Sequence, residues 1–124
     1  MKRALVVMAL LAIAAVTAAI LYQSDARERE YQSLLAEGEA ALREGQAASA
    51  IEDYSGALAL HPDSMLAYLK RGEAYRSRGE LEAAAHDFRS AATLAPSATR
   101  PLDQWGDVLY AQQRYRRAVE VYES

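Results

Sequence analysis

The stretch AYLKRGEAYRSRGELEAAAHDFRSAATLAP, residues 67–96, decides the fold. Its landmarks recur at a step of 34 residues. Gly72 has counterparts at Gly38 and Gly106, Ala84 at Ala50 and Ala118, and Phe88 at Tyr54 and Tyr122. Gly79 answers to Gly45, Ala91 to Ala57, and Pro96 to Pro62. Six residue classes kept in one register mark an internal repeat. The units run at about 31–64, 65–98 and 99–124, two full copies and a partial third.

Each unit reads as two helices. In the central one the pattern predicts a first helix over 64–78 and a second over 81–94. Gly79 separates them, because glycine takes the left-handed backbone of a helix C-terminus without steric cost. Pro96 stops the second helix, since its ring blocks continuation. The small residues Gly72 and Ala84 let the two helices approach closely. Tyr68, Tyr75, Leu81 and Phe88 fill the space around that contact.

A 34-residue unit with Gly, Ala, aromatic, Ala and Pro at these offsets resembles the tetratricopeptide repeat (TPR) family, over residues 31–124. The resemblance implies an all-α helical-hairpin solenoid whose first helices line a concave groove that holds protein segments. Carried over by register, the groove positions are Gln32, Leu35, Glu39, Leu42 and Arg43 in the first unit. The second contributes Leu66, Leu69, Glu73, Arg76 and Ser77, and the third Arg100, Asp103, Asp107, Tyr110 and Ala111. Glu39, Glu73 and Asp107 then form an acidic row, with Leu35 and Leu69 as an apolar strip beside it. Chaperone-binding members of the family hold a terminal carboxylate with Lys, Asn and Arg. Here acids stand where that clamp needs asparagine, which argues against it. An acidic and apolar groove suits a partner segment carrying Lys or Arg with apolar anchors. The competing reading is a merely solvated face.

Several positions depart from the family pattern. Ala41 stands where the second unit has Tyr75, which thins the packing of the first. Glu37 and Arg71, one step apart, either pair with each other or lie as solvated heads on buried stems. Gln113 replaces the turn glycine, at little cost if the turn is otherwise satisfied. Pro101 falls near the start of a helix, a tolerated place. Tyr54, Tyr75 and Tyr122 are expected in the core. The third unit stops at Ser124 inside its second helix, which leaves Trp105, Leu109, Val119 and Tyr122 beside an open end. Either a partner or a second copy covers that end, or Arg114, Arg116, Arg117, Glu120 and Glu123 make it polar enough.

The composition describes two objects. Of the 124 residues 52% are apolar, but residues 4–22 hold 18 apolar letters in 19, broken only by Thr17. Nineteen helical residues span roughly 28 Å, near the hydrocarbon thickness of a bilayer. Met1, Lys2 and Arg3 precede the run, so a signal anchor and a cleaved signal peptide compete. Small residues at Val16 and Ala18, or Thr17 and Ala19, fit a cleavage site. The run continues through Ile20, Leu21 and Tyr22 without a polar region or helix breaker, which favours an anchor over 1–23. It then continues into the module (24–124) as one helix over about 3–44, unless Asp25, three before Glu28, caps a separate start. The basic N-terminus favours a cytoplasmic start and a module on the periplasmic side of a single-pass membrane protein.

Chemistry is sparse. No cysteine is present, which removes thiol nucleophiles, disulfides and cysteine-ligated metals. His61 and His86 lack spaced partners, and no phosphate loop or nucleophile elbow occurs. No catalytic residue, metal, cofactor or small-molecule substrate is therefore expected. The module carries 12 basic and 17 acidic residues, which disfavours nucleic acid and anionic lipid headgroups. The expected function is a membrane-anchored adaptor or accessory subunit that assembles or stabilises a membrane or periplasmic complex. The alternative is a soluble periplasmic binding module.

Overall fold

The computed structural model describes residues 1–124, apart from the side chain of Tyr115. Six helices follow in order: α1 (Lys2–Arg43), α2 (Ala47–Leu60), α3 (Met65–Ser77), α4 (Leu81–Leu94), α5 (Thr99–Ala111) and α6 (Tyr115–Tyr122). The central boundaries match the sequence expectation to within a residue, with Ser64 and Arg78 as the caps of α3. The Ser64 side chain accepts from the Ala67 N–H at 3.1 Å, which satisfies one of the donors that a helix start leaves open. Asp25 starts no helix; it lies inside α1 and pairs with Arg29 one turn on.

The chain divides into two units, Met1–Glu30 and Tyr31–Ser124. The first is helical and its apolar side chains lie open, Leu5, Met8, Leu11, Ile13, Val16 and Leu21 among them. The one polar interruption of the 4–22 run is silenced locally: the Thr17 hydroxyl donates back to the Ile13 and Ala14 carbonyls.

The second unit is built from a contact used three times. A Cβ added at Gly72 would lie 2.6 Å from Phe88 Cε1, and one at Gly38 would lie 2.7 Å from Tyr54 Cε1. At Gly106 it would run into the Tyr122 ring. Glycine is thus the one residue that lets an aromatic ring of the second helix rest on the backbone of the first. Tyr54 and Phe88 are fully buried and cluster with Ala50 and Ala84 respectively, while Ala118 is buried with Leu109 and Val121. Tyr122 differs from the expectation: its ring covers Gly106 but stays 45% exposed, while its hydroxyl reaches Asp107 at 2.6 Å. Tyr75 is half-buried against the cluster of Leu69, Ala84, Phe88, Ala91 and Val108.

The turns inside the units repeat as well. Gly79 sits at φ 75°; its N–H bonds to the Arg76 carbonyl, and the Glu80 N–H to that of Tyr75. Gly45 and Gln46 make the same pair of bonds to Leu42 and Ala41, and Gln113 and Arg114 to Tyr110 and Leu109. This double bond pattern needs a left-handed residue at its centre. In the third unit that residue is Gln113, at φ 62°. The expectation of little cost is corrected: a side chain with a Cβ is strained there by about 1 kcal/mol. Gln113→Gly is expected to raise stability by about that amount, measured as a higher denaturant midpoint at unchanged slope. Pro101 occupies the third residue of α5, where its missing N–H has no helical acceptor to lose.

The ion pair suggested between Glu37 and Arg71 does not form. Arg71 Nε and Nη2 donate to the two carboxylate oxygens of Asp87 at 2.7 and 2.9 Å, and its Nη1 donates to Ser55 Oγ at 3.1 Å. The guanidinium also lies 5.7 and 5.8 Å from the ring centres of Tyr68 and Tyr75. Glu37 is exposed and accepts from Ser33 one turn away. The reason is the close contact itself: Arg71 adjoins Gly72 and Asp87 adjoins Phe88, so the same approach that seats the ring joins the charges. One step earlier these positions hold Glu37 and Asp53, and one step later Trp105 and Val121. The same pair of places is therefore like-charged, ion-paired and apolar in successive units. Burial, with Glu37 and Glu52 nearby, raises the Asp53 carboxyl above its ordinary pKa. Val121 is instead buried with Leu109 and Ala118 under Trp105.

Candidate functional site

The register assigns the groove to the first helix of each unit, namely α1 from Tyr31 onward, α3 and α5. Along this face the structure gathers Gln32, Leu35, Ala36 and Glu39 of α1, Leu66 and Lys70 of α3, and Tyr54 of α2 around one hollow. Gln32, Leu35, Glu39 and Leu66 were expected there; Lys70 and Tyr54 were not. Leu69 is corrected. It is only 3% exposed and belongs to the core with Phe88 and Val108. Its counterpart Leu35 stays partly open because the neighbouring helix brings it Ala74, where Leu69 meets the larger Val108. The apolar side chain that stays open in the second unit is Leu66, at 44%. Leu42 is half-buried against the cluster of Ala41, Ala50, Tyr54 and Ala74.

The acidic row is present, but it is threaded by cations. Lys70 Nζ lies 3.1 Å from Glu39 and 3.5 Å from Glu73, and Arg100 donates to Glu73 at 2.8 Å. Glu39 and Glu73 thus offer a partner little uncompensated charge. Arg76 is held by the Gln104 side-chain carbonyl and stacks 5.9 Å from the Phe88 ring centre. The open acidic and aromatic groups lie on α5, where Asp103 and Asp107 are exposed and Tyr110 is 61% exposed. Asp107 also accepts from Tyr122. That bond, more than burial, pushes the Tyr122 hydroxyl up to about 12. At the far end of the module Trp105 is half-buried, while Val119 stays open.

Tyr54 is the unforeseen member. Its hydroxyl is buried and finds no hydrogen-bond partner among the described residues. Burial, and then Glu39, Glu73 and Asp53, push it from 10 up to about 12, so it stays protonated as a donor. The unfolded chain gives up this proton near pH 10, whereas the folded chain keeps it to about 12. Its contribution to stability is therefore complete below pH 10 and lost as the pH rises to 12. Tyr54→Phe, which copies Phe88, is expected to melt no lower than the parent at neutral pH. It should also lose less of its melting temperature across the alkaline window, as followed by circular dichroism.

Comparison with known proteins agrees with this geometry. A tetratricopeptide repeat family model matches residues 35–99, just over half of the chain. The chain belongs to the tetratricopeptide repeat family. It is 30% identical over 100 residues to the small glutamine-rich tetratricopeptide repeat-containing protein 2 of Mycosarcoma maydis, covering 81% of this chain but 28% of that relative. The Sgt2 TPR domain from Aspergillus fumigatus superposes with a TM-score of 0.73 at 30% identity, covering 76% of this chain and 62% of the other. The first TPR of Spaghetti (RPAP3), solved with an HSP90 peptide, gives 0.73 at 23% identity and covers 77% and 75% of the two chains. The module is accordingly a TPR protein–protein interaction module, a class that is in general non-catalytic.

Proposed function

We propose that this chain is a membrane-anchored TPR adaptor, which tethers or stabilises a membrane or periplasmic complex as an accessory subunit. The observation that carries the reading is the apolar part of α1. Its best 18-residue window has a mean hydropathy of 2.8 and none of it is buried. Side chains such as Leu10 and Ile20 then need a solvent that is not water, and a bilayer of about 30 Å supplies it. The basic start supports an orientation with the N-terminus in the cytoplasm and the repeats on the periplasmic side.

The partner is a protein segment with basic and apolar side chains. Asp103 and Asp107 would meet its cations, Tyr110 and Leu66 its apolar groups, and the Tyr54 hydroxyl a carbonyl lowered into the hollow. Structural neighbours solved with an HSP90 peptide and with pHsp70 support a peptide segment as the ligand. The acids at Glu39, Glu73 and Asp107 argue against capture of a terminal carboxylate.

Membrane fractionation with intact-mass measurement separates this reading from a released periplasmic module. The expected result is the uncleaved chain in the membrane pellet, resistant to alkaline carbonate. A soluble chain cleaved after Ala18 or Ala19 would establish the alternative instead.

A further inference from the structure

We propose that the side of the module formed by α4 and α6 carries a second docking cleft, which takes an acidic segment of a protein partner with an apolar anchor. The cleft is lined by Glu82, Ala85, His86 and Arg89 of α4, Trp105 and Leu109 of α5, and Arg114 and Arg117 at α6. A second hollow, running from Pro62 and Tyr68 to Leu94, shares His86 and Arg89 with it. The two together offer a track on which an extended chain can lie.

The charge of this cleft sets it apart. The module is acidic overall, with 12 basic and 17 acidic residues. Most of its cations are engaged: Arg29, Lys70, Arg71, Arg78 and Arg100 are ion-paired, Arg76 is bound to Gln104, Arg43 donates to the Glu39 carbonyl, and Arg27 has an interaction of its own. Arg89, Arg114, Arg116 and Arg117 make no side-chain hydrogen bond or ion pair among the described residues. Three of those four line the one cleft. Its single carboxylate, Glu82, already accepts from Gln112 Nε2 at 2.8 Å. Three guanidinium groups without a partner among the described residues, set around a half-buried indole, have the complement of a Glu- or Asp-rich segment. Each guanidinium can take a carboxylate in a two-point bond, and the indole can cover an apolar side chain. This surface is separate from the α1–α3–α5 face, so one module could bridge two partners of opposite charge.

Trp105 is the only tryptophan, so its emission reports on the cleft. The full chain in neutral detergent would be titrated with a glutamate-rich peptide bearing a central leucine, with its lysine-rich counterpart, and with a soluble short-chain anionic phospholipid. The expected result is a saturable shift with the glutamate peptide alone, weakened about tenfold or more when Arg89→Glu and Arg117→Glu are combined. Both arginines are exposed, so the variant should keep its circular dichroism melt; Arg89→Gln with Arg117→Gln should fall in between. No saturable shift, an equal response to the lysine peptide, binding undiminished by charge reversal, or a response to the phospholipid alone would each overturn the proposal.

Discussion

Gly72→Leu is expected to lower stability by about 3 kcal/mol or more, against about 1 kcal/mol for Glu73→Leu next to it. Even the first carbon of a new side chain would lie 2.6 Å from a carbon of the Phe88 ring. That ring is fully buried among Leu69, Ala84, Ala91 and Val108, so it has nowhere to move. Overpacking then forces α3 and α4 apart and opens the core on both sides of the contact. Glu73→Leu removes the ion pairs to Lys70 and Arg100, both at the solvent edge, and leaves the helix contact intact. For a module of this size the larger loss corresponds to a fall of roughly 15 °C in melting temperature. Equal melting temperatures for the two variants would show that the assigned register is wrong.

Asp87→Ala is expected to cost about 3 kcal/mol. Asp87 is 1% exposed, and among the described residues it is the only charged one that is buried. Arg71 is turned inward to meet it and also reaches Ser55 on α2, so one guanidinium ties α2, α3 and α4 together. The Asp87 bond dominates the raised pKa of Arg71, which keeps the cation charged wherever the protein folds. Removing the carboxylate leaves that charge without its buried partner, and this is costlier than the pair is worth. Changing both residues to the Trp105 and Val121 pair of the third unit, as Arg71→Trp with Asp87→Val, should recover part of the loss. A double-mutant cycle on chemical denaturation midpoints measures the coupling. Additive losses would mean that the pair contributes no specific energy.

What the sequence made legible was set by backbone sterics. Gly45 and Gly79 ended helices because only a left-handed residue closes that turn, and the 34-residue register put an aromatic over each of Gly38, Gly72 and Gly106. The groove was less legible, because lining residues depend on what the neighbouring unit supplies. Leu35 and Leu69 hold the same register place, yet Val108 buries one where Ala74 leaves the other partly open. The row of acids could be read from the spacing of Glu39, Glu73 and Asp107, but its neutralisation by Lys70 and Arg100 could not. Those cations reach across from the adjacent helix, and their rotamers leave no periodic trace. The Arg71–Asp87 pair was hidden for the same reason: 16 residues apart, it follows neither a helical nor a repeat spacing. Gln113 shows the limit from the other side, for the turn kept its geometry after losing its glycine.

The proposed function needs a protein partner seated on the α1–α3–α5 face. Photo-crosslinking in cells would capture it, with the reactive group placed in turn at Asp103, Tyr110 and, as a control away from both proposed surfaces, at the exposed Glu52 of α2. One discrete adduct is expected from Asp103 and Tyr110 in the membrane fraction, with its crosslinked peptide rich in Lys or Arg and apolar residues, and no such adduct from Glu52. Equal labelling from all three positions, or no adduct from the α5 positions, would contradict it.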